Sequence, residues 1–241
     1  TTSESVTMIQ DGISVSSTTN SYINASGFAK VLYGFKRAPS FFDEVCYAGQ
    51  NSAPLVNSHN LGVTPELAII KNRTTATDWL VQTQITGLGN YLNLNTVNAL
   101  SSAAYFITAW TSTTFTLSNG ITATNTLGSN YVAWLFATCP GVSKVGSYTG
   151  TGAAQTINCG FTTGARFVLI KRTDGSAGWH VWDSARGIIP SNDPYLLLNS
   201  TAAEVTGTDY IDTTSVGFDV TSTAPAAINA NGGTYIFLAI A

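Results

Sequence analysis

The chain has 241 residues, of which 10% are charged, and a formal net charge of −3 at pH 7. Disordered chains combine high charge with low hydrophobicity, so a hydrophobic content of 44% together with this low charge excludes that class. The slightly acidic balance gives no electrostatic reason to expect binding to nucleic acid or to an anionic membrane surface, and no apolar window is long enough to insert into a bilayer.

The first element of the chain is a segment that recurs at its C-terminal end. Residues 12–36 align without gaps to residues 217–241. The positions with identical partners are Gly12, Val15, Ser17, Thr18, Ile23, Asn24, Ala25 and Gly27. Residues 1–35 are therefore predicted to be a partial repeat, the back end of a unit whose front end is absent.

This partial repeat predicts two strands, near residues 12–17 and 28–36. A strand pair is too small to bury one of its faces alone. We therefore expect the pair to complete a sheet of the following unit or of a neighbouring chain, by strand addition. The residues expected to make these assembly contacts are Ile23, Val31, Tyr33 and Phe35.

Two full copies of the unit follow, at residues 36–137 and 138–241. Identical residues at matching positions support the comparison: Phe35 with Phe136, Pro39 with Pro140, Tyr47 with Tyr148, Gly49 with Gly150, Lys71 with Lys171 and Trp79 with Trp179. The spacing between partners drifts little along the chain, so small loop insertions account for the difference. The sequence thus predicts a tandem duplication.

Each copy is predicted to consist of short β-strands. The runs LAIIK, WLVQT, FTLS and YVAWLFA are rich in β-branched and aromatic residues and show no helical period. Asp174-Gly175 marks a hairpin turn in the second copy. A copy of about 100 residues is the usual size of one sandwich. We therefore predict an all-β fold of two tandem homologous β-sandwich units, preceded by the N-terminal strand pair.

One cluster of catalytic residue types invites a hydrolytic interpretation. His180 lies close to Asp183 and Ser184. Side chains on one short strand do not converge as the members of a catalytic triad do, since triads are assembled from separate elements. The other copy also has Leu80 in place of His180. The position therefore accepts an apolar residue, and a structural role for His180 is favoured.

Aromatic residues provide the remaining ligand-binding candidates. Trp110 and Trp182 have no aromatic counterpart in the other copy. Exposed tryptophans beside polar loops suit sugar binding, because one end of the ring system is apolar and the other can donate a hydrogen bond. Trp110, Trp182 and His180 are therefore the ligand-binding candidates, and packing in the core is the alternative for each.

Metal and disulfide chemistry have little support. His59 corresponds to Cys159 in the second copy, but neither has a second ligand at metal spacing, so a polar turn is favoured. The cysteines Cys46, Cys139 and Cys159 form neither a disulfide framework nor a zinc pattern, and they are expected to be buried thiols. The sequence predicts no metal and no cofactor.

The charged residues do not assemble a catalytic pair either. Asp43 and Glu44 are adjacent, so they point to opposite sides of a strand, and nothing pairs Asp183 or Asp212 with a second carboxylate across a cleft. No catalytic residue is predicted, and the chain is interpreted as non-enzymatic.

Two lysines are held in register between the copies. Lys71 and Lys171 each end an apolar strand. Both are expected to extend the ammonium group to water, and pairing with a carboxylate or contact with a ligand is the alternative.

Two stretches of the first copy, YAGQNSAPLVNSHNLGVTPELAIIKNR and NYVAWLFATCPG, carry a family resemblance. They resemble a repeated β domain of bacteriophage tail-fibre and other virion proteins, of the marine and cyanobacterial phage type. The second copy departs from the pattern, with Cys159-Gly160-Phe161 in place of the first motif and Gly178 in place of the acid before the tryptophan. The resemblance implies no catalytic residues.

The resemblance implies a virion structural protein on a tail fibre, tail tip or capsid surface, where capsid decoration is one such role. The expected partners are copies of the same chain as a homo-oligomer, other virion proteins and a host surface glycan. A carbohydrate-binding β-sandwich module is the alternative, and a polysaccharide hydrolase is a third possibility. Converging carboxylates would favour the hydrolase, an aromatic platform the lectin, and a large apolar interface assembly.

Overall fold

The computed structural model describes most of the chain. The described residues are 6–9, 12–15, 26–27, 29–51, 54–103, 106–119 and 121–241. The chain divides into two compact units, Thr1–Phe35 and Lys36–Ala241. Within the described ranges, no helix has the length and apolar character needed to cross a membrane.

The described residues of the N-terminal unit include an antiparallel hairpin, made of β1 (Val6–Ile9) and β2 (Gly12–Val15). β2 lies where the first strand was predicted. The second predicted strand is wrong, because the described residues between 29 and 36 belong to no strand. An apolar pattern forms a strand only where a partner supplies the ladder of hydrogen bonds, and β2 takes its partner from the residues just before it.

The predicted assembly residues differ in how far they are buried. Ile23 lies outside the described residues. Val31 is 42% exposed, and Tyr33 and Phe35 are partly buried. Their role in completing a sheet of the following unit or of a neighbouring chain stays a prediction.

The first half of the larger unit is a β-sandwich of two antiparallel sheets. Its strands are β3 (Phe42–Ala48), β4 (Leu55–Ser58), β5 (Leu67–Asn72), β6 (Leu80–Thr83), β7 (Asn90–Asn93), β8 (Ser101–Ser102), β9 (Ile107–Trp110), β10 (Thr114–Leu117) and β11 (Asn130–Phe136). A six-stranded sheet has the order β3-β11-β5-β6-β7-β8, and a three-stranded sheet has the order β4-β10-β9.

The second half has the same plan. Its elements are β12 (Ser143–Thr149), β13 (Gln155–Asn158), β14 (Phe167–Arg172), β15 (His180–Asp183), β16 (Leu196–Leu197), β17 (Ile211–Thr214), β18 (Gly217–Val220), α1 (Ala226–Asn229) and β19 (Thr234–Ile240). A five-stranded sheet has the order β12-β19-β14-β15-β16, and a three-stranded sheet has the order β13-β18-β17. The all-β prediction is therefore confirmed. The tandem division itself stays a prediction, since residues 36–241 form one compact unit.

Alternation along the strands builds each core. In β10, Phe115 and Leu117 are fully buried and the threonines between them are partly exposed, as expected for a strand with one face on the core. The second sandwich places Phe218 and Val220 of β18 in the same way.

A pair of stacked tyrosines recurs in both cores. Tyr47 stacks on Tyr131 with ring centroids 5.1 Å apart, and Tyr148 stacks on Tyr235 at 4.8 Å. The hydroxyl groups of Tyr131 and Tyr235 each accept a backbone N–H and donate to a backbone carbonyl in the segment before the last strand of their sandwich. These buried hydroxyls are satisfied, so the rings bury apolar area without leaving a polar group unpaired.

The two sandwiches pack against each other through their large sheets. Leu67 and Thr83 of the first sandwich meet Val145, Leu169 and Leu238 of the second around one small internal void. This contact explains why β5 and β14 are buried almost continuously rather than alternately, because a strand covered on both faces carries an unbroken apolar run.

Residues 137–142 connect the sandwiches and are held at both ends. The Glu66 carboxylate accepts hydrogen bonds from the Thr138 backbone N–H (2.8 Å) and hydroxyl (2.5 Å). The Ser143 hydroxyl donates to the Ala137 carbonyl at 2.7 Å. These hydrogen bonds therefore restrict the conformations that the linker can adopt.

Candidate functional site

One aromatic surface on the first sandwich combines two charged side chains with two partly exposed tryptophan rings. It comprises Glu44 on β3, Trp134 on β11, Lys71 on β5 and Trp79 just before β6, and we call these four residues the Trp79 face. The pairing of Trp134 with Glu44 and of Lys71 with Val132 places the first three on one side of the large sheet, because cross-strand partners point to the same side.

The Trp79 face is organised by ring stacking. The indoles of Trp79 and Trp134 stack with centroids 5.3 Å apart at an interplanar angle of 25°. Trp134 Nε1 donates to Glu44 Oε2 at 3.0 Å. Lys71 Nζ donates to the Thr77 carbonyl at 2.5 Å and lies 5.8 Å from the Trp79 ring centroid, within cation–π range. All four residues are partly exposed.

The second sandwich has a corresponding surface, which the first sandwich covers. Val145, Lys171, Trp179 and Leu238 occupy the same places in the same strand order, and we call them the Trp179 face. Lys171 is 0% exposed and Trp179 is 2% exposed. Local sequence alone therefore does not decide burial, since the matching lysine and tryptophan of the first sandwich remain partly exposed.

Residues 93–100 of the first sandwich cover the Trp179 face through their backbone, and we call them the covering segment. The Val97 carbonyl accepts from Lys171 Nζ (3.2 Å) and from the Ala177 backbone N–H (2.9 Å). The Leu100 N–H donates to the Thr173 carbonyl at 2.8 Å. The Trp179 indole N–H donates to the Asn93 carbonyl at 2.9 Å.

Lys171 differs from the sequence prediction. Its ammonium was expected to reach water, but it lies in the protein and donates to two carbonyls, of Ala177 (2.7 Å) and Val97. Burial lowers its pKa to about 8, because desolvation penalises the charged form. The correction depends on a loop far away in sequence, so the local strand pattern could not reveal it.

Polar side chains line the edge of the Trp79 face. Asp78 accepts from Asn95 Nδ2 at 2.8 Å and from Asn93 Nδ2 at 3.2 Å. Asn95 Oδ1 in turn accepts the Trp79 backbone N–H at 2.9 Å. Asn199 Oδ1 accepts the Trp179 backbone N–H in the same way at 2.7 Å. Each asparagine therefore anchors the loop that begins there to the backbone of the tryptophan.

Two of the predicted ligand-binding residues lie in the core. Trp182 is fully buried and His180 is 5% exposed, and their rings stack at 5.6 Å. Burial lowers the pKa of His180 to about 4. Neither side chain presents a surface to a ligand, which agrees with the structural alternative for His180.

Trp110, the third candidate, lies at the rim of the first sandwich. It is partly buried against the core and lines an open groove with Thr64, Gln84 and Leu88. Its indole N–H is buried and has no hydrogen-bond partner among the described residues. The structure does not bring Trp110 together with His180 or Trp182, which belong to the second sandwich.

His59 directly follows β4 and is buried, and the structure has a bend at residues 62–63 rather than the predicted turn at His59. Its Nδ1 accepts the Leu61 backbone N–H at 3.2 Å, so Nε2 carries the proton and donates to the Thr111 carbonyl at 3.3 Å. Burial lowers its pKa. Among the described residues, no group of three or more His, Cys, Asp and Glu side chains could hold a metal ion.

The cysteines correct one expectation. Cys159 is buried, and burial raises its thiol pKa to about 12, but Cys46 is exposed and Cys139 is partly exposed. Cys46 lies near the end of edge strand β3, where alternate side chains face away from the core, and this position explains its exposure.

Acidic residues meet at the small sheet of the second sandwich. Asp212 and Asp219 lie directly opposite each other on β17 and β18. The pKa of Asp212 is raised by burial and by the nearby charges of Asp209 and Asp219. The sequence offered Asp212 without a partner, and the strand register supplies one. Two like charges on the outward side of a sheet form no cleft, however, so they do not by themselves define an active site.

Comparison with known proteins places the whole chain in one family. A family model described as Domain of unknown function (DUF7483) matches residues 2–241. No curated protein and no solved structure matches the chain.

Proposed function

We propose a non-enzymatic structural role in a bacteriophage virion for this chain, which belongs to the family described as Domain of unknown function (DUF7483). On this proposal it lies on the particle surface, at a tail fibre, tail tip or capsid, and makes assembly contacts with other virion proteins. The resemblance of the YAGQNSAPLVNSHNLGVTPELAIIKNR stretch to virion β domains motivates the placement.

One observation carries the assembly role. The outward side of a large sheet, which in a solitary sandwich would face water, is used in this chain to bind another sandwich. Lys171 and Trp179 lose nearly all exposure under a segment that contributes backbone hydrogen bonds. A sheet side built this way is a protein-docking surface, and the Trp79 face repeats its lysine and tryptophan.

The first test asks where the protein resides. Phage particles carrying this chain would be banded on a density gradient and analysed by mass spectrometry and by immunogold electron microscopy with an antibody to the purified chain. We expect the chain in the particle band and gold on one surface structure. A chain found only in the soluble lysate fraction would overturn the virion placement.

A carbohydrate-binding module is the second candidate, because the Trp79 face supports it with one specific arrangement. The stacked Trp79 and Trp134 rings adjoin Asp78, Asn93 and Asn95, and sugar sites combine such apolar rings with a few well-placed polar groups. Tryptophan fluorescence titrations with a panel of host-surface glycans test this. A saturable shift that Trp79→Ala abolishes would favour the lectin function over assembly.

A further inference from the structure

We infer that the Trp79 face binds a second copy of this chain, which docks residues 197–204 of its second sandwich there. The inference rests on the proposed assembly role in that it names the partner of the same surface. It starts from the docking already present within the chain, where residues 93–100 close the Trp179 face.

The docking segment of the second sandwich is built like the covering segment of the first. Asn95 and Asn199 bind the backbone N–H of Trp79 and Trp179 in the same way. The Leu94 N–H donates to the Trp79 carbonyl at 2.8 Å, and the Leu198 N–H donates to the Trp179 carbonyl at 3.0 Å. Both segments therefore leave their sandwich at the same point and in the same direction.

The two segments differ in what they contact. In the covering segment, the Val97 carbonyl and the Leu100 N–H are bonded to the second sandwich. The corresponding groups, the Thr201 carbonyl and the Glu204 N–H, have no hydrogen-bond partner in the part of the chain that the structure describes. Residues 200–207 are all exposed. The docking segment thus has the same backbone acceptor and donor as the covering segment, but no other part of the described chain is bonded to them.

The Trp79 face supplies the matching recipient. Lys71 Nζ is bonded to the Thr77 carbonyl as Lys171 Nζ is bonded to the Ala177 carbonyl, so the hairpin loop has the same closure. The Thr77 N–H, which corresponds to the Ala177 N–H, has no partner among the described residues. In the docked state, Lys71 Nζ and the Thr77 N–H both donate to the Thr201 carbonyl, and the Trp79 indole donates to the Leu197 carbonyl.

The geometry of this contact determines the kind of assembly. The two surfaces are different parts of the molecule, one on each sandwich, so the contact is heterologous. Heterologous contacts propagate into open chains or closed rings rather than stopping at a symmetric dimer. Each copy then covers the next as the first sandwich covers the second, and the assembly continues the internal packing.

The test uses two full-length variants that each block one surface. Thr77→Arg places a long charged side chain on the recipient loop, where the matching Ala177 is buried. Ala203→Arg does the same on the docking segment, where the matching Ala99 is partly buried. Ser112→Arg, on an exposed turn of the first small sheet, is the matched control. Circular dichroism and melting temperature confirm that each variant is folded.

Sedimentation velocity over a concentration series gives the result. We expect the wild type and Ser112→Arg to associate as concentration rises, and each blocking variant to have a dissociation constant at least about tenfold higher. A mixture of Thr77→Arg and Ala203→Arg is expected to form a 1:1 dimer and nothing larger. The first variant keeps an intact docking segment and the second keeps an intact Trp79 face, so the two can make only one contact. A symmetric dimer would not show this complementation.

Three outcomes would overturn the inference: a wild type that stays monomeric up to about 1 mM, association that both blocking variants leave unchanged, or glycan binding at Trp79 without self-association. The virion placement is tested separately by the particle band. Loss of self-association with the chain still in that band would reject only the second-copy partner, and absence from the band with self-association intact would reject only the placement.

Discussion

The imidazole of His180 is kept neutral by its surroundings. It is buried between the rings of Trp182 and Tyr195, its Nδ1 lies 3.2 Å from the Gly178 carbonyl, and the nearby ammonium of Lys171 adds to the effect of burial. Burial and the Lys171 charge outweigh the hydrogen bond to the Gly178 carbonyl, which acts in the opposite direction, and lower the pKa of His180 to about 4. The first sandwich has Leu80 in this place, so an apolar residue fits the same fold position.

The folded state therefore loses stability in acid through His180. Between about pH 6.5, the ordinary histidine pKa, and pH 4, the unfolded chain binds a proton that the folded chain does not, so stability falls as pH falls. Over that window we expect the wild type to lose about 3 kcal/mol more than His180→Leu. Urea unfolding of both proteins at pH 7.5 and pH 4.5 measures the difference.

The comparison with His180→Leu is necessary because Asp193 acts in the opposite direction. Burial raises its pKa to about 6, so its contribution to stability falls as pH rises. Only the difference in pH-dependent stability between the wild type and His180→Leu isolates the contribution of the histidine. Equal pH slopes for the wild type and His180→Leu would contradict the assigned burial.

At the scale of the element, the β17–β18 hairpin carries an avoidable repulsion. Asp212 and Asp219 are cross-strand neighbours, and like charges directly opposite each other destabilise a strand pair. The raised pKa of Asp212 gives the direction in which its contribution to stability changes with pH. Its folded form holds a proton more tightly than the unfolded chain, so its contribution is lost as pH rises.

Asp212→Asn should therefore stabilise the protein at pH 7, by about 0.5 kcal/mol, and the gain should vanish near pH 3 where both forms are protonated. Thermal melting at the two pH values tests this. Asp174→Asn is the control with the opposite sign. A hydrogen bond from Arg172 lowers the pKa of Asp174 to about 2. Replacing the Asp174 carboxylate should therefore destabilise the protein at pH 7. A loss of stability in Asp212→Asn would show that its carboxylate has a favourable partner.

The elements were predictable where their pattern is local. Alternation marked β10, and the apolar run LAIIK marked β5, because side-chain period follows directly from strand geometry. The predicted strand at 28–36 failed because strand formation also needs a partner. The burial of Lys171 was unpredictable for a similar reason. It depends on the Val97 carbonyl of the other sandwich, which is 74 positions away along the chain.

At the scale of the whole molecule, matched tryptophans measure the packing of the sandwiches. Trp179 is buried under the covering segment, whereas Trp79 is partly exposed. Trp179→Ala should cost about 3–5 kcal/mol, as large-to-small core substitutions do, and Trp79→Ala less than half as much. Guanidinium unfolding at low protein concentration, where self-association is absent, compares them. Equal costs would contradict the difference in cover between the two faces.

The linker between the sandwiches has a mechanical consequence. Because Glu66 fastens Thr138 and Ser143 fastens Ala137, residues 137–142 behave as a stiff joint rather than a flexible tether. A pulling force applied to residues 36–241 should meet one rigid body, and the sandwiches should not separate before a strand yields. Single-molecule extension of the chain and of Glu66→Ala tests this. A compliant, low-force opening should appear only in the variant, and its appearance in the wild type would show that the joint is loose.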